Sequence, residues 1–124
     1  MIGERDYPYP YVFSIPGHVI KVFLSGPMTG YPDWNHALFN NVATELRVLG
    51  FTVINPAEFF DGDTTRKRSD YMRQSVINLL EADMVMLLPG WSKSEGALIE
   101  AAVGLELGLE LSELRYNTGL NEVL

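Results

Sequence analysis

The chain has 124 residues, 47% of them hydrophobic, no cysteine, and a net charge of −7 from 9 basic and 16 acidic side chains. This fits one globular domain with its own core, leaves no disulfide or thiolate metal site, and argues against a basic nucleic-acid-binding surface. No apolar run approaches the ~20 residues that cross a bilayer, and the N-terminus lacks the basic-then-apolar pattern of a signal peptide, so a cytoplasmic protein without membrane contact is expected.

Residues 1–18 read as an arm, and residues 19–124 as the domain. Tyr7-Pro8-Tyr9-Pro10-Tyr11 resists helix because each proline biases its predecessor to extended geometry. An edge strand is expected over 12–15 and a turn at Pro16-Gly17. Such an apolar, aromatic arm is expected to pack on its own domain or on a neighbouring subunit.

Residues 19–25 are mostly apolar, as in a strand buried in a parallel sheet. Two glycines and two prolines make 26–35 a loop. Phe39, Val42, Ala43, Leu46 and Leu49 give a helix over 36–49 its apolar face, and Gly50 stands where a helix-ending glycine belongs. A second strand over 51–54 stops at Asn55-Pro56, and 58–63 is expected as a polar loop. A second helix is expected over 69–81, with Met72, Val76, Leu79 and Leu80 inward and Ser75 and Asn78 facing either the site or solvent. Then come a strand over 84–88, a loop over 89–94, a helix over 95–107 and a short strand over 109–114. This alternation predicts an α/β fold: a flavodoxin/Rossmann-like three-layer sandwich on a mainly parallel sheet of four to five strands. In such sheets ligands bind beyond the carboxyl ends of the strands, which points to the loops after the first and third strands.

The first of these is Ser25-Gly26-Pro27-Met28-Thr29-Gly30-Tyr31-Pro32-Asp33-Trp34-Asn35. Glycine after a strand admits a ligand to the backbone, and the next helix offers amides and a positive dipole end to phosphate. It matches neither GxGxxG nor a P-loop, and it reads equally as a plain connection with Asp33 capping the helix. The second loop, Pro89 to Gly96, sets Trp91, Ser92, Lys93 and Ser94 at a helix start. Trp91 suits a stacked base or a cover for the sheet; Ser94 suits a phosphate or the helix cap. Arg66, Lys67, Arg68 and Arg73 hold four of the nine basic side chains, either as a solvated turn or as a rim attracting an anionic small molecule.

Glu100 is the most informative residue. At about 100° per residue, Glu95 and Glu106 share the solvated face of the third helix, and Glu100 lies about 120–140° from both. Its same-face neighbours are Gly96 and Gly104. A carboxylate aimed inward between two residues without side chains suggests a bound ligand, because an unpaired buried charge is costly; close helix–sheet packing is the alternative. His18 and His36 have no metal-ligand spacing, so no metal and no cofactor are expected, and Asp83 reads as a structural carboxylate.

Four segments occur in order: KVFLSGPMTG (21–30), GFTVINP (50–56), ADMVMLLPGW (82–91) and SEGALIE (94–100). Over about 21–111 the chain resembles the small DUF4406 proteins associated with phages and prophages, within the nucleoside 2-deoxyribosyltransferase-like superfamily. That resemblance implies cleavage or transfer at the N-glycosidic bond of a nucleoside or its 5′-monophosphate. Glu100 matches the glutamate that attacks C1′ of the sugar. Ser94 matches a serine that contacts the 5′-phosphate in the 2′-deoxynucleoside 5′-monophosphate N-hydrolases, where the transferases tend to carry aspartate. Ser25, Gly26, Pro27, Met28, Thr29, Gly30, Trp91 and Gly96 are the implied substrate contacts, and Asp33, Ser75, Asn78 and Lys93 the accessory candidates. Two positions depart from the pattern. Ser75 stands where relatives usually carry an aspartate that assists the departing base, and Phe23 where active enzymes often have tyrosine. A non-catalytic nucleotide-binding protein that senses or sequesters a nucleotide is therefore the alternative, and an interaction protein with a docking arm a third reading. Related enzymes are dimers or larger, and the apolar arm with the leucine-rich segment 105–114 is consistent with a homo-oligomer.

Overall fold

The computed structural model describes residues 19–115. The aromatic arm with its expected edge strand, and the tail beyond 115, lie outside the described residues. Strands and helices alternate as β1 (Lys21–Ser25), α1 (His36–Val48), β2 (Thr52–Ile54), α2 (Arg68–Leu79), β3 (Met84–Leu87), α3 (Glu95–Glu106) and β4 (Glu110–Glu113). The strands form one sheet in the order β2-β1-β3-β4, and every pairing is parallel. The strand order reverses between β1 and β3, so a crevice is expected beyond their carboxyl ends.

Strand alternation divides the core. Val22, Leu24, Met84 and Met86 point to one face and pack against Phe39, Val42, Ala43 and Leu46 of α1. Phe23, Val85 and Leu87 point to the other and meet Leu79 of α2 and Ala101 of α3. Both faces of the central strands are covered, which is why β1 and β3 read as unbroken apolar runs. Ser25 is the exception: fully buried, it continues the Phe23 face toward α2 and α3.

Several local expectations are corrected. Asp33 does not cap α1; the cap position is Asn35, left-handed, and its side chain donates to the Pro27 carbonyl at 2.8 Å instead. Leu49 lies beyond the last turn of α1 and is exposed. The expected polar loop 58–63 lies largely within a 3-10 segment, Pro56–Gly62, that turns left-handed at Phe60 and Asp61. In α2 the fully buried residues are Ser75 and Leu79, one turn apart, whereas Leu80 falls past the helix end and is exposed.

Gly26 and Gly104 have the same cause. A Cβ on Gly26 would stand 2.8 Å from Leu88 Cβ, and one on Gly104 3.0 Å from Val85 Cγ2. Gly26 serves close packing on Leu88, just past β3, and Gly104 close packing of α3 on β3, so the sequence-based expectation of ligand space beside Gly104 does not hold. Gly96 differs, because a Cβ there would meet nothing within 4 Å.

Candidate functional site

Beyond the carboxyl ends of β1 and β3 lies a cavity of about 710 Å³, within the roughly 300–1,000 Å³ typical of small-molecule sites. Its walls come from the β1 loop, the segment from Pro56 into α2, and the first turns of α3. Glu100 reaches it from α3 and Ser75 from α2. The Ser25 hydroxyl donates to Glu100 Oε1 at 2.6 Å, and the Ser75 hydroxyl also hydrogen-bonds to Glu100. Both serines are buried. Burial pushes the Glu100 carboxyl above its ordinary range, and the two hydroxyls pull against that shift by stabilising the ionised form.

The α3 N-terminus forms one wall. Ser94 Oγ accepts from the Ala97 amide at 3.2 Å, so Ser94 caps the helix and lines the cavity at once. Glu95 and Gly96, whose amides an α-helix leaves without an internal partner, line the same wall. Lys93 flanks them. At the mouth, Arg68 donates to Glu95 at 2.7 Å, joining the starts of α2 and α3.

The wall before α2 is aromatic and cross-braced. The Arg66 guanidinium lies 4.0 Å over the Phe60 ring, and Phe60 meets Tyr71 edge-on at 5.4 Å. Tyr71 donates its hydroxyl to the Asp63 carbonyl and accepts from the Arg66 amide at 3.1 Å. Asp63 in turn accepts from the Thr65 amide and hydroxyl, which hold its carboxyl below the ordinary range. On the β1 side, Tyr31 and Trp34 line the cavity, carried on a turn in which Asp33, Trp34 and Asn35 are all left-handed. The Tyr31 hydroxyl sits 3.0 Å from where a Cβ on Gly90 would stand, so glycine lets the two loops touch.

Of the residues singled out from sequence, Gly26, Pro27, Met28, Thr29, Ser75, Lys93, Ser94, Gly96 and Glu100 meet at this cavity. Ser25 lies beneath it, bound to Glu100. Gly30, Asp33, Trp91 and Asn78 are not among its walls. Trp91 packs against the Phe23 side of the core and donates from Nε1 to Glu113 at 3.0 Å, so it covers the sheet. Asn78 accepts from Gln74 one turn earlier, and Asp33 is exposed on its turn. Sequence reasoning missed Phe59, Tyr71, Trp34 and His36 as wall residues. Phe59 lies in a 3-10 segment with no helical or strand period and Tyr71 in the first turn of α2, and only the aromatic density of 59–71 signalled them. Among the described residues there is no cluster of side chains suited to a metal ion.

A family model described as a domain of unknown function, DUF4406, matches residues 20–113. No curated protein matches. Among solved structures the chain is similar to a 2-desoxiribosyltransferase from Leishmania mexicana, with a TM-score of 0.61 and 15% identity, over 76% of this chain and 63% of that one. The likeness is one of fold, and this chain spans less than two thirds of that protein.

Proposed function

Because this chain belongs to the DUF4406 family and shares its fold with a deoxyribosyltransferase, we propose that it cleaves or transfers at the N-glycosidic bond of a nucleoside or its 5′-monophosphate. The observation that carries this reading is Glu100: a carboxylate at a cavity wall, held by two buried serines and facing a helix start suited to phosphate. In the proposed reaction a Glu100 oxygen attacks C1′ of the sugar. The C1′–N bond breaks, its electron pair leaves with the base, and a glycosyl ester remains on Glu100. Water or a second base then takes the sugar and restores the carboxylate. Ser94 and the Glu95 and Gly96 amides hold the phosphate, and the aromatic wall borders the base. The resemblance to monophosphate N-hydrolases rests on Ser94 alone.

The test is incubation with nucleosides, deoxynucleosides and their monophosphates, with free base read by chromatography. Base release from one class, lost in Glu100→Gln, is expected; release that persists in Glu100→Gln refutes the assignment. A second reading, nucleotide binding without turnover, rests on serine at position 75, where a group able to protonate a departing base is missing. Thermal stabilisation by a nucleotide with no base released from any member would favour it.

A further inference from the structure

Two absences around Glu100 bear on which base leaves, given the proposed function. The first is a counter-ion. Among the described residues no ion pair involves Glu100; Arg66 is engaged by Phe60 and Asp70, and Arg68 by Glu95, while Lys93 lines the cavity just before α3, seven positions before Glu100 in the chain. A carboxylate in such a place is costly unless a positive charge joins it. The second is an acid. Among the described residues, the groups hydrogen-bonded to Glu100 are serine hydroxyls, which do not protonate a base at neutral pH. The Tyr71 hydroxyl is engaged as a donor to the Asp63 carbonyl, Tyr31 lies against Gly90, and Glu95 is held by Arg68. His36 lines the same cavity from the start of α1, and among the described residues no hydrogen bond joins it to Glu100.

We infer that the substrate's base is already cationic, a pyridinium or an N7-alkylpurinium ring joined to the sugar, so that it departs neutral without taking up a proton. Such a base supplies both missing elements. Its positive charge lies beside Glu100 and favours the ionised nucleophile. When the Glu100 oxygen bonds to C1′, the C1′–N electron pair neutralises the ring nitrogen, and no general acid is required. Water then attacks C1′ of the ester, Glu100 leaves as carboxylate, and one proton passes to solvent. The balance is cationic nucleotide plus water giving neutral base, sugar phosphate and a proton. The wall suits such a ring: Trp34, Tyr31 and Phe59 present aromatic surface to the cavity, and aromatic faces attract cationic groups.

The experiment uses the full chain and two matched pairs, each as ribo and 2′-deoxyribo nucleotides. Nicotinamide mononucleotide is set against its dihydro form, which has a similar shape and an uncharged ring. 7-Methylguanosine monophosphate is set against guanosine monophosphate. Binding by calorimetry and base release by chromatography are both read. The expected result is at least tenfold tighter binding of one cationic member than of its neutral partner, with the preference abolished in Glu100→Gln. Release from that member is expected at least 100-fold faster than from the neutral one, and the pair that responds distinguishes pyridinium from purinium. Neutral-base release at a comparable rate, above all if His36→Asn abolishes it, overturns the inference and leaves glycosidic cleavage standing. Cationic preference in binding without release refutes cleavage and the departure of the base with it, and leaves only the cation-binding site beside Glu100. No preference and no release overturns both.

Discussion

The hydroxyl of Ser25 and the carboxylate of Glu100 are joined by a 2.6 Å hydrogen bond across 75 positions of sequence. It links the last residue of β1 to the middle of α3, and Ser75 of α2 adds a second hydroxyl. Three elements thus converge on one carboxylate at the strand ends, where α/β sheets place their ligand sites.

That carboxylate weakens the fold as pH rises. Its folded-state pKa lies above the ordinary 4.5, chiefly because of burial. Folding therefore favours the protonated form, so the group's stabilising effect is present below the unfolded pKa and lost as pH climbs through the raised value. Glu100→Gln is expected to raise the thermal midpoint at pH 8 and to change it little at pH 4. Melting curves at the two pH values check this; equal shifts at both would contradict it.

Ser25→Ala and Ser75→Ala each remove a hydrogen bond that stabilises the ionised Glu100. The acidic limb of the pH–rate profile is expected to move to higher pH in both. Below that limb, turnover falls by about tenfold for each unit the pKa rises. A rate that drops equally at every pH would mean that the serines serve structure alone.

Two glycines beside the site are expected to part company on substitution. Gly26→Ala forces a Cβ to 2.8 Å from Leu88, and overpacking of this kind costs about 1–3 kcal/mol. Gly96→Ala meets nothing within 4 Å, and in the first turn of α3 it is expected to stabilise by about 0.4–1 kcal/mol. The same methyl enters the cavity and is expected to weaken nucleotide binding. Denaturation curves and ligand titration on both variants separate fold from site.

The Arg68–Glu95 pair is well exposed, with side-chain accessibilities of 62% and 77%, so its loss is expected to change stability by less than about 1 kcal/mol. Arg68→Ala and Lys93→Ala are expected to weaken binding of a nucleoside monophosphate several-fold and to leave the unphosphorylated nucleoside unaffected. Equal losses for both ligands would place the cations elsewhere in recognition.

Leu80 of the α2 cap and Leu98 and Leu105 of α3 are exposed at 66%, 45% and 65%, on two helices that pack together. A homo-oligomer using this layer is proposed. Light scattering at micromolar concentration is expected to give more than one chain, and Leu80→Glu with Leu105→Glu to reduce it to one. A monomeric wild type would dismiss the proposal.

The α/β order was legible because it rests on local signals. Apolar runs marked the buried strands, the spacing of Phe39, Val42, Ala43 and Leu46 marked α1, and Gly50 marked its end at φ +101°. Glu100 was legible because charge on α3 is sparse: Glu95 and Glu106 are both exposed, and a third carboxylate between glycines stood out against them. The two glycines then proved unlike, since only the sheet beneath Gly104 shows what a side chain there would strike.

What the sequence by itself determined was the set of elements, their parallel rhythm and the two loops at which a site belongs, because hydrophobic period and turn chemistry act over a few residues. Only the tertiary structure decided which polar groups meet. Trp91 turned to Glu113 rather than to the cavity, Phe59 entered it from a segment without period and Tyr71 from the first turn of α2, and Ser25 found Glu100. Those pairings depend on strand order and on how each helix is rotated against the sheet, and both are fixed by packing between residues far apart in the chain.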